Sequence, residues 1–156
     1  MTHALFTRNH LFHRLPESLA EQLYEAGEIQ QQPDGTILVN EGEPLKGLYV
    51  LLSGKVEVLL PAGLSRVSPV KLAELGAGDC FGDYAFIDQQ PASASIRVVE
   101  ACEFCLIPFD ALQSFLDRHP TVAAVIYRNM LQIFVSRLRA SNAELDLFSM
   151  PLGSDF

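Results

Sequence analysis

Residues 81–98, FGDYAFIDQQPASASIRV, have the residue types of a small anion-binding site but lack its usual cation. Phe81, Gly82 and Asp83 open the segment, and the serines of the later run PASAS add two hydroxyl groups. Backbone N–H groups in a glycine-led turn and serine hydroxyls can donate hydrogen bonds to an anion. The first positive charge is Arg97, at the far end, so the expected anion chemistry is incomplete.

The whole chain limits the classes of partner. Its 156 residues predict one domain, and 11 Lys and Arg against 19 Asp and Glu give a formal charge of −8. This charge disfavours nucleic acid and anionic membrane surfaces. The apolar runs are too short to span a bilayer, and three cysteines favour reduced thiols. We therefore expect a cytoplasmic protein with neither direct DNA binding nor membrane contact.

The periodicity of the chain predicts a β domain between helices. Apolar residues recur at helical spacing over 8–28, whereas 35–108 consists of short β-branched and aliphatic runs cut by turn residues. These runs are TILV, GLYVLL, KVEVLL, VKLAEL, ASIRVV and CEFCLI. Glycines such as Gly54 are expected at the corners between strands. The predicted fold is mainly β with flanking α-helices, an antiparallel barrel or double-stranded β-helix (jelly roll).

Residues 109–146 predict a short helix and a long one, followed by a tail at 147–156. The long helix carries a heptad seam with one polar position, made of Leu131, Val135, Leu138, Asn142 and Leu145. The stripe could pack on the chain's own barrel. However, a helix of roughly 26 residues would be about 39 Å long, longer than such a barrel can cover. A buried Asn also fixes register between like helices. We therefore expect a homodimer through this helix.

The order of these segments over about 8–146 resembles the cyclic-nucleotide-binding domain family, in particular the sensor domain of its catabolite-activator-like members without their DNA-binding domain. The likeness rests on GTILVNEGEPLKGLYVLLSGKVEVLL and LGAGDCFGDYAFIDQQPASASIRVV. Glycines at these intervals are strong evidence for the fold and say little about the ligand. The resemblance implies one domain over 1–146, a regulatory role, and cAMP or another cyclic nucleotide as the possible ligand; no cofactor is certain.

The family's phosphate-binding cassette reads F-G-E-L-A, a short helical turn, then P-R-A-A-T/S-V. The Glu of that cassette binds the ribose hydroxyl, and the Arg binds the cyclic phosphate together with backbone N–H groups at the start of the turn. In this sequence Asp83 takes the place of the Glu, and Ala92 takes the place of the Arg. The implied ligand-binding residues are Gly82, Asp83, Tyr84, Ala85, Ala92, Ser93, Ala94 and Ser95.

Ala92 weakens the expectation of nucleotide binding. Removing one partner from a desolvated ion pair costs about 3–5 kcal/mol, which is about two to four decades in affinity. On a strand, residues 93, 95 and 97 would share the face opposite to residue 92, so Arg97 would point away from it. Asp79, Asp83 and Asp88 make the field less favourable for an anion. We therefore expect weak or absent binding of cAMP and cGMP.

The resemblance also places two residues of the long helix near a bound base. In catabolite-activator-like members a Thr-Ser pair on this helix reaches the adenine at the dimer interface, and Ser141 and Asn142 take those positions here. Both side chains can hydrogen-bond a base edge. Alternatively, Ser141 is only solvated and Asn142 only sets the register of the helix pair.

Other reactive residues form no convincing catalytic or metal site. Cys102 and Cys105 are a CxxC, but residues three apart on a strand point to opposite faces. His10 and His13 lie at i, i+3 without a further ligand at helical spacing, so surface histidines are favoured over a metal or haem site. We do not expect the chain to be an enzyme, because we recognise no nucleophile–base set, no phosphate-binding loop and no paired catalytic carboxylates in its sequence.

Two hypotheses follow. In the first, the chain is a stand-alone regulatory domain that senses a small ligand through a degenerate cassette. In the second, it is a ligand-free interaction and dimerisation module that regulates a partner protein.

Overall fold

A computed structural model describes residues 2–149. The chain begins with helix α1 (Thr2–Thr7), a 3₁₀ turn (His10–Phe12) and helix α2 (Glu17–Ala26). The helical region therefore starts earlier than the predicted 8–28. Phe6 explains the early start, because its side chain is fully buried and stacks on Phe12 with ring centroids 4.5 Å apart. This contact holds α1 against the domain.

Six strands form one antiparallel sheet, with β1, β6, β3 and β4 in that order, while β2 pairs with β6 and β5 pairs with β3. The strands are β1 (Glu28–Gln32), β2 (Ile37–Val39), β3 (Gly47–Leu60), β4 (Val70–Gly76), β5 (Cys80–Phe81) and β6 (Ser95–Pro108). Helix α3 (Asp83–Asp88) lies between β5 and β6. The predicted mainly β class with flanking helices is confirmed.

Two long strands replace four of the predicted short ones. GLYVLL and KVEVLL are parts of β3, and ASIRVV and CEFCLI are parts of β6. Gly54 is not a corner between strands but an irregularity inside β3, where the pairing register with β6 shifts on both sides. Its φ is +81°, and a Cβ there would lie 2.3 Å from the Ala101 carbonyl oxygen. Glycine thus lets β3 bend against β6 without ending.

The sheet separates two hydrophobic clusters. Leu48, Val50 and Leu52 of β3 face the helices, whereas Tyr49 and Leu51 face the other side. This alternation follows from the period of two along a strand. We call the second group the interior cluster, because its buried members come only from strands: Val39, Tyr49, Leu51, Val56, Phe81, Ile96, Val98, Cys102, Phe104 and Leu106.

The chain continues into helices α4 (Phe109–Arg118) and α5 (Pro120–Ser149). The 30 residues of α5 correspond to about 45 Å. The helix includes 147–149 of the predicted tail, and the remainder of that tail lies outside the described residues. Within residues 2–149, no helix is both long and apolar enough to cross a membrane.

The two halves of α5 have different surroundings. Ala123, Ile126 and Met130 are buried against the domain. Four apolar side chains of the predicted seam are 48–63% exposed, namely Leu131, Val135, Leu138 and Leu145. Asn142 is also exposed. The stripe therefore does not pack on the chain's own sheet.

Candidate functional site

Gly82 sets the backbone at the start of the cassette. It has φ +91° and directly precedes α3. A Cβ at this position would lie 2.5 Å from the carbonyl oxygen of Gly47, at the start of β3. Both the left-handed backbone and the close approach to β3 require glycine. The need for Gly82 is thus explained by the fold without any ligand.

The acid of the cassette is already paired within the chain. The Asp83 side chain is only 3% exposed, and its Oδ2 accepts a hydrogen bond from Nη1 of Arg137 over 3.0 Å. Nη2 of Arg137 donates to the Cys80 carbonyl oxygen at 3.2 Å, and the Tyr84 backbone N–H donates to Asp83 Oδ1 at 3.1 Å. Asp83 therefore joins the cassette to α5, and a ligand hydroxyl would meet an occupied carboxylate.

Burial and charge act in opposite directions on this pair. Burial raises the pKa of Asp83 above its ordinary value, and the neighbouring Arg137 charge offsets only part of that rise. Burial by itself would lower the pKa of Arg137, but the Asp83 charge and the neighbouring Tyr84 and Cys80 together outweigh burial, so the pKa is raised. The Arg137 guanidinium also lies 5.4 Å from the centre of the Tyr84 ring. These contacts hold the guanidinium over the start of α3.

Ala92 occupies an apolar and partly buried position where the family has its arginine. It packs against the interior cluster, and its backbone is tied to the 41–43 loop. The Ala92 N–H donates to the Glu43 carbonyl at 2.9 Å, and the Gly42 N–H donates to the Ala92 carbonyl at 2.8 Å. The backbone of this segment is therefore held in place, but the side chain offers an anion no charge.

The remaining cassette residues do not follow a simple strand alternation. Ser93 is exposed, whereas Ala94 and Ser95 are both buried, because β6 begins only at Ser95. The Ser95 hydroxyl accepts a hydrogen bond from the Glu41 backbone N–H over 2.9 Å. Ser93 and Ser95 thus have different environments, although the alternation predicted that they would share one face.

Arg97 lies on the outer surface of the sheet, as the strand pattern predicts. Its neighbours Ile96 and Val98 belong to the interior cluster with which Ala92 packs, while Arg97 is exposed and bonded to Glu57 on β3. Because alternate residues of a strand face opposite sides, the Arg97 side chain lies on the other side of the sheet from Ala92.

The two acids flanking Asp83 in the sequence have local partners. Asp79 Oδ2 accepts the Gly76 N–H at 3.0 Å, which closes the turn from β4 to β5. Asp88 Oδ1 accepts the Gln90 N–H at 3.0 Å at the end of α3. Of the three predicted acids, Asp83 is therefore the one paired with a cation from another element.

Helix α5 separates the two residues predicted to contact a base. Ser141 lies one turn beyond Arg137, on the face of α5 that reaches the cassette, while Asn142 lies one turn beyond Leu138 on the exposed stripe. Both side chains are exposed. Within this chain, Ser141 is on the cassette side of α5, and Asn142 belongs to the predicted seam.

The cysteines and histidines are not arranged as a metal site. Cys105 belongs to the cluster facing the helices and Cys102 to the interior cluster, so the CxxC thiols face opposite sides of β6. His10 and His13 line a cavity of about 620 Å³ between the 3₁₀ turn, the end of β4 and α5. Among residues 2–149, no group of three His, Cys, Asp or Glu side chains is placed to hold a metal ion.

Two ion pairs near the cassette are absent from the sequence interpretation. For the Arg137–Asp83 pair the sequence has one signal, the shared helix face of Arg137 and Ser141 one turn apart, but this signal does not identify Asp83 as the partner. The second pair joins Arg66, in the loop between β3 and β4, to Glu41 through two contacts of 2.9 Å. No periodic sequence pattern identifies Arg66 as a residue near the cassette, because its position depends on the conformation of the β3–β4 loop.

Known proteins resemble the chain in sequence and in fold. The family model for the cyclic nucleotide-binding domain matches residues 29–119, more than half of the chain. Glutaminase 1 of Bradyrhizobium diazoefficiens is 32% identical over 83% of this chain and 21% of its own length. The cyclic AMP receptor protein of Thermus thermophilus is 30% identical over 89% of this chain and 62% of its own length. The chain thus spans less than two thirds of either relative.

A solved cyclic nucleotide-binding domain from Methylobacillus flagellatus KT superposes with a TM-score of 0.81, covering 99% of this chain and 85% of that domain. The two sequences are 24% identical, so this likeness concerns the fold alone. The shared architecture is the predicted jelly roll with a long C-terminal helix. The family-model match over 29–119 shows that the chain belongs to the cyclic nucleotide-binding domain family.

Proposed function

We propose that the chain is a regulatory, non-catalytic sensing module whose cassette binds cAMP and cGMP weakly or not at all. The observation that carries this proposal is the state of the cassette. Its backbone is held by Gly82 and by the 41–43 loop, yet Ala92 supplies no cation and the Asp83 carboxylate is bonded to Arg137. A desolvated phosphate at Ala92 would lack the charge-assisted hydrogen bonds that stabilise it elsewhere in the family.

The contact between Arg137 and Asp83 gives a route from the cassette to α5. A ligand hydroxyl that bonded to Asp83 would compete with Arg137 for the same carboxylate. The guanidinium would then lose its contacts with Asp83 and Cys80, and α5 would lose a connection to the domain. Ligand binding would in this way change the position or stability of α5, which is the element available to a partner.

The exposed seam supports a second proposed property, a homodimer through α5. Four large apolar side chains along one stripe of a 30-residue helix expose between 48% and 63% of their surface. Two copies of the stripe could bury one another, with Asn142 fixing the register. The alternative function, a ligand-free dimerisation module that regulates a partner protein, depends on the same stripe. Either form would act in the cytoplasm without direct DNA or membrane contact.

Calorimetry with cAMP, cGMP and cyclic di-GMP separates the two functions. We expect no heat, or binding only at millimolar ligand, for the native chain, and measurable cyclic nucleotide binding for Ala92→Arg. Micromolar binding by the native chain would show that the cassette is not degenerate. If Ala92→Arg unfolds thermally like the native protein but still binds nothing, the sensing function is wrong and the interaction module is favoured.

A further inference from the structure

Three arginines lie near the cassette, with Arg97 on the outer side of the sheet, and each is paired with a carboxylate of the chain. Arg97 pairs with Glu57, Arg137 with Asp83, and Arg66 with Glu41. The carboxylate side chains of Glu57 and Asp83 are only 11% and 3% exposed, so releasing them would leave buried charges. The Arg66 and Glu41 side chains are 28% and 32% exposed. Of the three pairs, Arg66–Glu41 is therefore the pair that can separate while its carboxylate becomes hydrated.

Arg66 lies beside the part of the cassette that lacks its cation. Its partner Glu41 donates its backbone N–H to the Ser95 hydroxyl, and the next residue, Gly42, donates to the Ala92 carbonyl. The backbone of Arg66 forms two hydrogen bonds with Gly63, of 2.8 and 3.3 Å, within the β3–β4 loop. Its Nη1 also donates to the Pro61 carbonyl at 3.2 Å. The guanidinium is therefore positioned by its own loop as well as by Glu41.

We propose that Arg66 supplies the positive charge for an anionic phosphodiester bound at the cassette, and that Glu41 occupies its guanidinium in the absence of that ligand. This inference rests on the proposed sensing function. It assigns to the β3–β4 loop the cation that Ala92 does not provide. The ligand class is a small monoanionic phosphodiester, whose two oxygens can accept the paired N–H groups now directed at the Glu41 carboxylate.

The exchange keeps the charges balanced. Both Nη atoms of Arg66 now contact the two Glu41 oxygens at 2.9 Å, which is the forked arrangement that a phosphate can also accept. A monoanionic ligand would replace one negative charge by another, and the displaced Glu41 side chain would be hydrated. Competition from Glu41 would keep the affinity of the native chain low, as the weak or absent cAMP binding proposed above requires.

The test compares variants of this pair with cAMP as the probe, by equilibrium dialysis and calorimetry. Glu41→Gln removes the competing charge while retaining a side chain of the same size. We expect it to bind cAMP at least about tenfold more tightly than the native chain, on the scale of one charge-assisted contact. Arg66→Gln and the double variant Glu41→Gln/Arg66→Gln should lose this binding.

Glu74→Gln is the matched control. It makes the same change in charge on β4, where Glu74 pairs with Lys71 away from the cassette, and it should leave cAMP affinity unchanged. An equal gain in Glu41→Gln and Glu74→Gln would overturn the proposal, because the effect would then come from net charge. Thermal unfolding of each variant checks that the fold is retained.

Ala92→Arg distinguishes failure of this inference from failure of the sensing function. If Ala92→Arg binds cAMP while Glu41→Gln gains nothing, the cassette is a nucleotide site and Arg66 has no part in it. If neither variant binds, both proposals are wrong. Support requires that Glu41→Gln gains affinity and that adding Arg66→Gln removes the gain.

Discussion

Arg137 on the long C-terminal helix donates a 3.0 Å hydrogen bond to the buried carboxylate of Asp83 at the start of α3, 54 positions earlier in the chain. The bond connects the acid of the cassette to the helix that carries the exposed seam. It thus joins the proposed ligand site directly to the helix that carries the proposed dimerisation surface.

Arg137→Gln should destabilise the fold by about 1–3 kcal/mol, because it leaves the Asp83 carboxylate buried without its cation. The cost falls below that of a fully buried pair, since the Arg137 side chain is 31% exposed to solvent. Urea unfolding measures the change. Arg139→Gln is the matched control on the exposed surface of α5 and should change stability by less than about 0.5 kcal/mol. Equal losses in both variants would contradict a specific role for Arg137.

The effect of Arg137→Gln should depend on pH. Burial raises the pKa of Asp83, so the folded state holds the proton more tightly than the unfolded state does. The stabilisation that comes from protonated Asp83 is complete below the ordinary aspartate pKa of about 4. It is lost as the pH rises through the pKa of Asp83 in the folded state. Removing Arg137 raises that pKa further, so the variant should lose less stability at pH 4 than at pH 7. Urea titrations showing the same loss at both pH values would argue against Asp83 as its partner.

Gly82→Ala should cost about 1–3 kcal/mol in unfolding free energy, because alanine is strained at φ +91° and its Cβ would meet the Gly47 carbonyl. Gly63→Ala is the control, since Gly63 lies in the β3–β4 loop with no atom within 4 Å of the added Cβ. Thermal or urea unfolding compares the two. If Gly82→Ala proved as stable as Gly63→Ala, the glycine would not be explained by the fold.

The three cysteines should resist modification in the native protein. Cys80, Cys102 and Cys105 are all buried and unbridged. Burial raises the pKa of the Cys105 thiol to about 12, and it also raises the pKa of Cys80 and of Cys102. At pH 8 the reactive thiolate is therefore scarce. Ellman's reagent should label no thiol until denaturant is added and then three. Rapid native labelling, or a Cys102–Cys105 disulfide after mild oxidation, would instead indicate a redox pair.

Leu138→Glu should convert the proposed homodimer to a monomer, because two glutamates would face each other across the seam. The Leu138 side chain is 61% exposed in the single chain, so the fold should tolerate the change. Light scattering after size exclusion gives the mass. Ile37→Glu introduces the same charge at an exposed apolar residue of β2, outside the seam, and should leave the mass unchanged. A dimeric Leu138→Glu would place the interface elsewhere.

Local sequence patterns predicted most of the fold. Alternating apolar residues predict the strands because one face of each strand must be buried, and the i, i+4 spacing of the long helix predicts the stripe that the structure leaves exposed. The same reasoning divided β3 and β6 into shorter strands. Gly54 resembles a corner in sequence, whereas close packing on Ala101 makes it an irregularity within a continuous strand.

The features of the candidate site also divide into those that the sequence predicts and those that it does not. The missing cation at Ala92 follows from the resemblance to the family's cassette. The outward direction of Arg97 follows from strand parity, which depends only on neighbouring residues. The partners of the charged residues do not follow from the local sequence. Arg137 reaches Asp83 from 54 positions away, and Arg66 reaches Glu41 from a loop without periodicity. The sequence by itself determined the fold class and the absence of an arginine at residue 92. Only the tertiary structure decided which cations lie beside the cassette, because pairing between distant residues depends on how the strands, loop and long helix pack together.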